Sequence, residues 1–422
     1  MKSTLKKGLV LGLILSGFSF YAQNRNLDNY RQPSQDGVNV FEAPKDSVST
    51  FDGVKVRIGG ASTLQYQAID HENSGAVALK EIGYNFNLAT ANLDLDVALA
   101  DGVRMHLRTY LSSRHHPEPY VKGGYFQIDK LDFISEGLLE DFMKHVTIKI
   151  GHMENNYGDA HFRRSDNAQT LFNPFVGNLI MDSFTTEVGA EVYYRCDSGL
   201  FGMVGLTNGK LNQAVNATNG TTGGASFIAK LGYDKQLNED LRVRLTGSLY
   251  NTGYVPSSYL YNADRAGSRY YFVMENTTAT TSANFRSGRY NPGFTNQITA
   301  IMFNPFVKYK GLEFFGTIEN SRGNALGAEE RTANQFAGEL IYRFGASENF
   351  YIGGRYNKVD SEEASGDDIE ITRTQLGAGW FMTKNILMKL EYVNQKYDGY
   401  AVGSQYEDGK FKGLMLEAAI SF

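Results

Sequence analysis

Arg104, His106 and Arg108 occupy alternate positions in LDLDVALADGVRMHLRTYL (residues 93–111), and Asp94 and Asp96 do the same before Ala100-Asp101-Gly102. Forked guanidinium groups set among carboxylates can grip a small anion, or they can cancel one another as cross-strand ion pairs. A second candidate is the Arg163-Arg164 pair, flanked by Asp159 and Asp166. Two adjacent guanidiniums can form an anion-selective constriction or fasten a loop to a charged wall. Neither pattern sets a nucleophile beside a base, so catalysis is not expected. Among the 7 histidines, His115-His116, His152 and His161 match no closed metal-ligand spacing, so neither a metal nor another cofactor is expected.

The element that must carry these charges is a strand. Every odd position in 93–111 other than Asp101 is apolar or Thr, and the charges sit on the even positions. A soluble sandwich buries the apolar face, whereas a membrane barrel turns it to lipid and lines a wet lumen with the charges. The alternation begins at Val54 and continues to Phe422. It predicts about sixteen strands: 54–69, 84–99, 103–113, 123–133, 146–154, 186–196, 200–207, 225–234, 241–252, 297–309, 312–322, 332–344, 350–359, 369–382, 386–396 and 411–422. Many are about ten residues or longer, the length of a tilted membrane crossing. Connections alternate between tight turns, such as Asp197-Ser198-Gly199 and Lys310-Gly311, and long loops, 155–185, 208–224 and 253–296. That alternation predicts an antiparallel transmembrane barrel with short periplasmic turns and long extracellular loops. A three-residue turn pairs Leu99 with Val103, Cys196 with Leu200 and Met382 with Ile386, which keeps the apolar faces together. Asp94 then faces Arg108, and Asp96 faces His106.

Composition agrees with this architecture. The 422 residues include Gly 45, Tyr 26 and Phe 27, but only Pro 8 and Cys 1, so no internal disulfide can form. No run after the first twenty residues is apolar enough for a spanning helix, so any membrane crossing must be made by strands. Lys2, Lys6 and Lys7 precede an apolar stretch from Leu9 to Phe20, which predicts a signal peptide over 1–22. Residues 23–53 are polar and aperiodic, and are expected to be a flexible periplasmic segment before a barrel over 54–422. With the three leader lysines removed from 41 Lys and Arg, 38 basic residues remain against 46 acidic ones, a net charge of −8. A generally basic nucleic-acid binder is excluded.

Parity assigns to the lumen Arg57, Arg104, Arg108, Arg242, Arg244 and Arg355, together with Lys55, Lys149, Lys230, Arg343, Arg373 and Lys389. The opposing acids are Asp94, Asp96, Glu187, Glu191, Glu313, Glu319, Glu339, Glu391 and Glu417. Charges on a narrow low-dielectric channel bias which ions enter. The expected pore-lining or constriction set is Arg57, Arg104, Arg108, Arg163, Arg164, Arg242, Arg244, Arg355, Asp94 and Asp96.

Several stretches resemble the phosphate-selective porin O and P family: VRIGGASTLQYQ (56–67), IKIGHMENNYG (148–158), GAEVYYR (189–195), GLTNGK (205–210) and LGAGWFMTKNILMKLEY (376–392). The resemblance implies a sixteen-stranded trimeric outer-membrane channel whose third extracellular loop, here 155–185, folds into the pore. Known members carry a dense arginine ladder, whereas this lumen is mixed in charge. The expected function is therefore an outer-membrane porin that passes small hydrophilic solutes passively, with mild preference for anions, phosphate included. The expected partners are outer-membrane lipid, two further copies of the chain, and the barrel-assembly machinery through the terminal strand ending in Phe422. An alternative is a barrel plugged by 155–185 and 253–296 that serves as a structural or complex-forming subunit. In that reading Tyr254, Tyr259, Tyr261, Tyr270, Tyr271, Phe272, Phe285 and Tyr290 would meet a partner or glycan.

Overall fold

A computed structural model describes residues 27–113, 119–209, 225–253, 255, 257–262 and 269–422. The expected leader, His115-His116 and Tyr254 lie outside the described residues. Sixteen strands form: β1 (Lys55–Glu72), β2 (Asn85–Ala100), β3 (Val103–Leu111), β4 (Tyr120–Ile128), β5 (Val146–Glu154), β6 (Thr186–Arg195), β7 (Leu200–Thr207) and β8 (Ser226–Gln236). They continue with β9 (Leu241–Thr252), β10 (Gln297–Tyr309), β11 (Leu312–Asn324), β12 (Arg331–Phe344), β13 (Phe350–Glu362), β14 (Asp368–Thr383), β15 (Ile386–Asp398) and β16 (Lys410–Ser421). Each strand pairs antiparallel with its sequence neighbours, and β16 returns to β1, so the sheet closes into a barrel with no free edge. Phe422 completes the seam by exchanging backbone hydrogen bonds with Gly60, at 3.0 and 3.1 Å.

The outer face is apolar and open. Ile58, Phe86, Leu206, Leu231, Leu376 and Leu416 are exposed, Leu231 by 74%, while alternate residues such as Thr207, Lys230, Gln375, Met415 and Glu417 are buried. Exposed over such an area, this surface would be unfavourable in water and suits the hydrocarbon of a bilayer. Toward the turn end Tyr342, Phe344, Phe350 and Trp380 stack in one strip with centroid separations of 5.9, 5.7 and 5.9 Å. Such a strip suits the membrane interface.

The register agrees with the turn chemistry. Val97 pairs with Met105, Arg195 with Phe201 and Phe381 with Leu387, and Asp94 and Asp96 lie opposite Arg108 and His106, but a bulge at the turn sets Ala100 opposite Val103 and Thr383 opposite Ile386 in place of Leu99 and Met382. Gly102 adopts φ +70°, and a Cβ there would lie 2.5 Å from the Lys130 side chain, so this turn requires glycine.

Two expectations need correction. β4 is Tyr120–Ile128, not 123–133, because Leu131 and Phe133 continue the alternation in sequence but belong to the connection that follows. That connection, 129–145, lies at the turn end yet is long. It carries a short helix, Glu140–Met143, whose Met143 packs with Ile128 and Val146. The second correction concerns residues 27–53, which are not loose. They enter the barrel from the turn end and bury Leu27, Asn29, Asn39 and Phe41.

Candidate functional site

Three inserts occupy the lumen, and the charged wall residues hold them in place. The first is the N-terminal segment. Tyr30 donates to Asp96 at 3.1 Å, and Asn39 donates to Glu313 at 2.5 Å. Phe41 meets Phe162 and Phe306 edge-on, and Lys45 bonds Asp129 and the Val146 carbonyl. Glu42 lies 2.8 Å from Arg244 and 3.5 Å from Lys230. Burial raises its carboxyl pKa, but Arg244 and Lys230 more than offset this and hold it below the usual range.

The second insert is the third loop, 155–185. Asp159 sits 2.8 Å from Arg244 and 3.0 Å from Lys230, and accepts from Thr246 at 2.8 Å. Burial opposes its charge, yet the Arg244 and Lys230 cations keep it ionised and well below the ordinary carboxylate value. Farther along, Val176 and Gly177 donate backbone N–H groups to Glu391 at 2.7 and 3.2 Å. Ile180 and Met181 donate to Asn357 and Gln335 at 2.7 and 3.0 Å. Arg355, Arg373 and Lys389 donate to loop carbonyls of Gly177, Asn178 and Thr170. An aperiodic loop has no ladder partners of its own, so buried wall side chains must satisfy its backbone.

The third insert, the described residues of 253–296, packs into the loop end. Arg269 pairs with Glu417 at 2.7 Å, Tyr270 donates to Glu391 at 2.6 Å, and Tyr261 donates to Glu319 at 2.9 Å. Tyr261, Tyr270, Phe272, Phe285 and Tyr290 are buried, which corrects the expectation of an outward aromatic surface at these positions. Their rings fill the lumen mouth, while the Tyr261 and Tyr270 hydroxyls reach wall acids and that of Tyr290 donates to Ser361.

The expected site residues divide accordingly. Asp94 holds Arg108 through two hydrogen bonds of 2.7 Å. Asp96 gathers Arg57 at 3.0 Å, His106 at 2.8 Å and Arg104 at 3.7 Å. Arg242 and Arg244 both reach Asp234. Arg355 pairs with Glu339 at 2.7 Å. The Arg163-Arg164 pair does not form an eyelet. Arg163 reaches Glu339 at 3.2 Å and also bonds Asn39 of the N-terminal segment, while Arg164 pairs with Asp182 at 2.9 Å and stacks 4.0 Å from the Phe184 centroid. Acids brought close by the fold neutralise both guanidiniums, so the pair clamps the loop.

Two open spaces adjoin these contacts. One, of about 1010 Å³ at the turn end, lies between residues 40–47, the 129–145 connection and the wall, with Arg242 and Arg244 on its rim. The other, of about 170 Å³, lies deeper, between the first two inserts and the β2–β6 wall. Arg104, Arg108 and Asp94 of the expected set line it. Arg31, Lys122, Lys149, Glu42 and Glu154 also line it, and the expected set omitted them. Parity had placed Lys149 in the lumen, but Arg31 and Glu42 sit in an aperiodic segment that carries no local signal of an inward position.

No family model and no curated protein matches the chain. Solved structures do match its fold. An anion-selective porin from Comamonas acidovorans superposes with a TM-score of 0.56 at 11% identity, covering 87% of this chain and 100% of that one. The outer membrane channel DcaP of Acinetobacter baumannii gives 0.53 at 10%, covering 89% and 99%. OmpT, an outer membrane protein of Vibrio cholerae, gives 0.51 at 12%, covering 89% and 100%. The fold is that of the outer-membrane barrel porins.

Proposed function

We propose that this chain is a porin of low conductance, passing small hydrophilic solutes by passive diffusion along the β2–β6 side of its lumen, with mild preference for anions. The supporting observation is an asymmetry. The 176–181 stretch of the third loop is tied by its backbone to β12–β15, whereas its earlier half meets β2–β6 through separate contacts, such as Arg108 with the Asn167 carbonyl and Asn156 N–H with Glu191, and leaves a cavity between them. Five basic residues, Arg31, Arg104, Arg108, Lys122 and Lys149, line that cavity against three acids, Glu42, Asp94 and Glu154. A small excess of cations in a narrow low-dielectric passage favours anions weakly. The resemblance to phosphate-selective porins adds phosphate as a permeant ion, though this mixed lining argues against a dedicated phosphate channel.

This reading makes residues 1–22 a secretory leader, the Phe422 strand the signal for barrel assembly, and a homotrimer the assembled form. The Vibrio cholerae protein with the same fold is described in a trimer form. Planar-bilayer recording of the purified full chain tests the proposal. Small conductance steps with a modest anion-directed reversal potential in a salt gradient are expected, and absence of current refutes it. A second reading, the plugged structural subunit, is favoured by the three inserts that pack the lumen, and it predicts no current.

A further inference from the structure

We infer that the 170 Å³ lumen cavity is a binding site for a small organic carboxylate with a planar apolar body, anchored by Lys149. Most cations lining the cavity are already matched. Arg108 is held by Asp94, Lys122 lies 2.6 Å from Asp166, and Arg104 shares Asp96. Lys149 differs, because among the described residues it makes no hydrogen bond or ion pair. Its ammonium stands 5.5 and 5.1 Å from the ring centroids of Tyr125 and Tyr193. The Tyr125 hydroxyl likewise has no hydrogen-bond partner among the described residues, so a cation and an O–H donor are both available at one wall. Across the cavity lining, Arg31 lies 3.7 Å from the Phe172 centroid and donates only to neutral oxygens, those of Gly37, Phe162 and Gln169.

These features select among anions. Phosphate is gripped best by free forked guanidiniums; Arg108 has its fork on Asp94, and Arg104 lies 3.7 Å from Asp96 and donates to the Asn29 carbonyl and the Gln127 side chain. A single ammonium and one hydroxyl suit a carboxylate. The remaining lining includes the rings of Tyr125, Tyr193, Phe162 and Phe172, which supply apolar surface for a ligand body. A void of about 150 Å³ accepts one benzene ring, so the volume suits a one-ring carboxylate.

The inference rests on the porin reading only for the ligand's route of entry, so binding is measurable without transport. Calorimetric titration of the full chain in detergent would use benzoate and inorganic phosphate as probes. Benzoate should bind saturably and at least tenfold more tightly than phosphate. Lys149→Met should weaken benzoate at least tenfold, and Tyr125→Phe, which removes only a hydroxyl, several-fold. Equal affinities for the two anions, or Lys149→Met binding like the native chain, would overturn the site. Ion current without benzoate binding overturns the site and spares the porin reading, whereas benzoate binding without current does the reverse.

Discussion

Glu391 on β15 joins two inserts to the wall, and its removal should undock both. One carboxylate oxygen accepts from the Val176 and Gly177 amides at 2.7 and 3.2 Å and from Gln375 at 2.9 Å, and the other accepts from Tyr270 at 2.6 Å. The residue is 0% exposed, so no solvent competes for these bonds. Hydrogen bonds to a charged group contribute roughly 1.5–3 kcal/mol each, and losing several together is less than additive because water enters the space left. Glu391→Ala should therefore cost about 3 kcal/mol in docking of the third loop, a factor of about 100 in the docked-to-undocked ratio. Glu391→Gln keeps one acceptor oxygen and should cost about 1 kcal/mol. Hydrogen exchange over 176–181 reads this directly, because the amides of Val176, Gly177, Ile180 and Met181 all bond to wall side chains. Protection should fall by about two decades in the alanine variant, and exchange near Tyr270 should rise with it. Unchanged protection at 176–181 would refute the argument that wall carboxylates hold the loop.

Other outcomes follow from the same geometry. Leu231→Arg sets a charge on the lipid face and should destabilise the barrel by about 2–4 kcal/mol near the midplane, read as a lower temperature for the heat-induced gel shift. Arg163→Glu adds a carboxylate beside Glu313 and Glu339, so it should loosen the third loop in hydrogen exchange instead of simply shifting the reversal potential. Because the folded pKa of Glu42 is depressed, its stabilisation of the N-terminal segment is complete above about 4.5 and is lost as pH falls through the folded value. Exchange of amides 39–46 should accelerate across that acid window in the native chain, and Glu42→Gln should exchange faster at neutral pH with a flatter acid response.

The barrel was legible residue by residue because its signal is local. Side chains on a strand alternate with period two, so the inward position of Arg104 or Glu391 follows from its neighbours alone, and turn length sets Asp94 opposite Arg108. The contents of the barrel leave no such trace. Arg163 meets Glu339, Val176 meets Glu391 and Arg244 meets Glu42 across separations of 176, 215 and 202 residues, between a periodic wall and segments with no period. Charge in the sequence therefore resembled a wet ionic lining, and the aromatics of 253–296 resembled an outward surface. Folding brings three inserts into the lumen, where the backbone amides and charges that become buried need partners. Tertiary structure thus turned most of the lumen cations into fasteners and left Lys149 facing open space, an outcome decided by which carboxylates the inserts carried into reach.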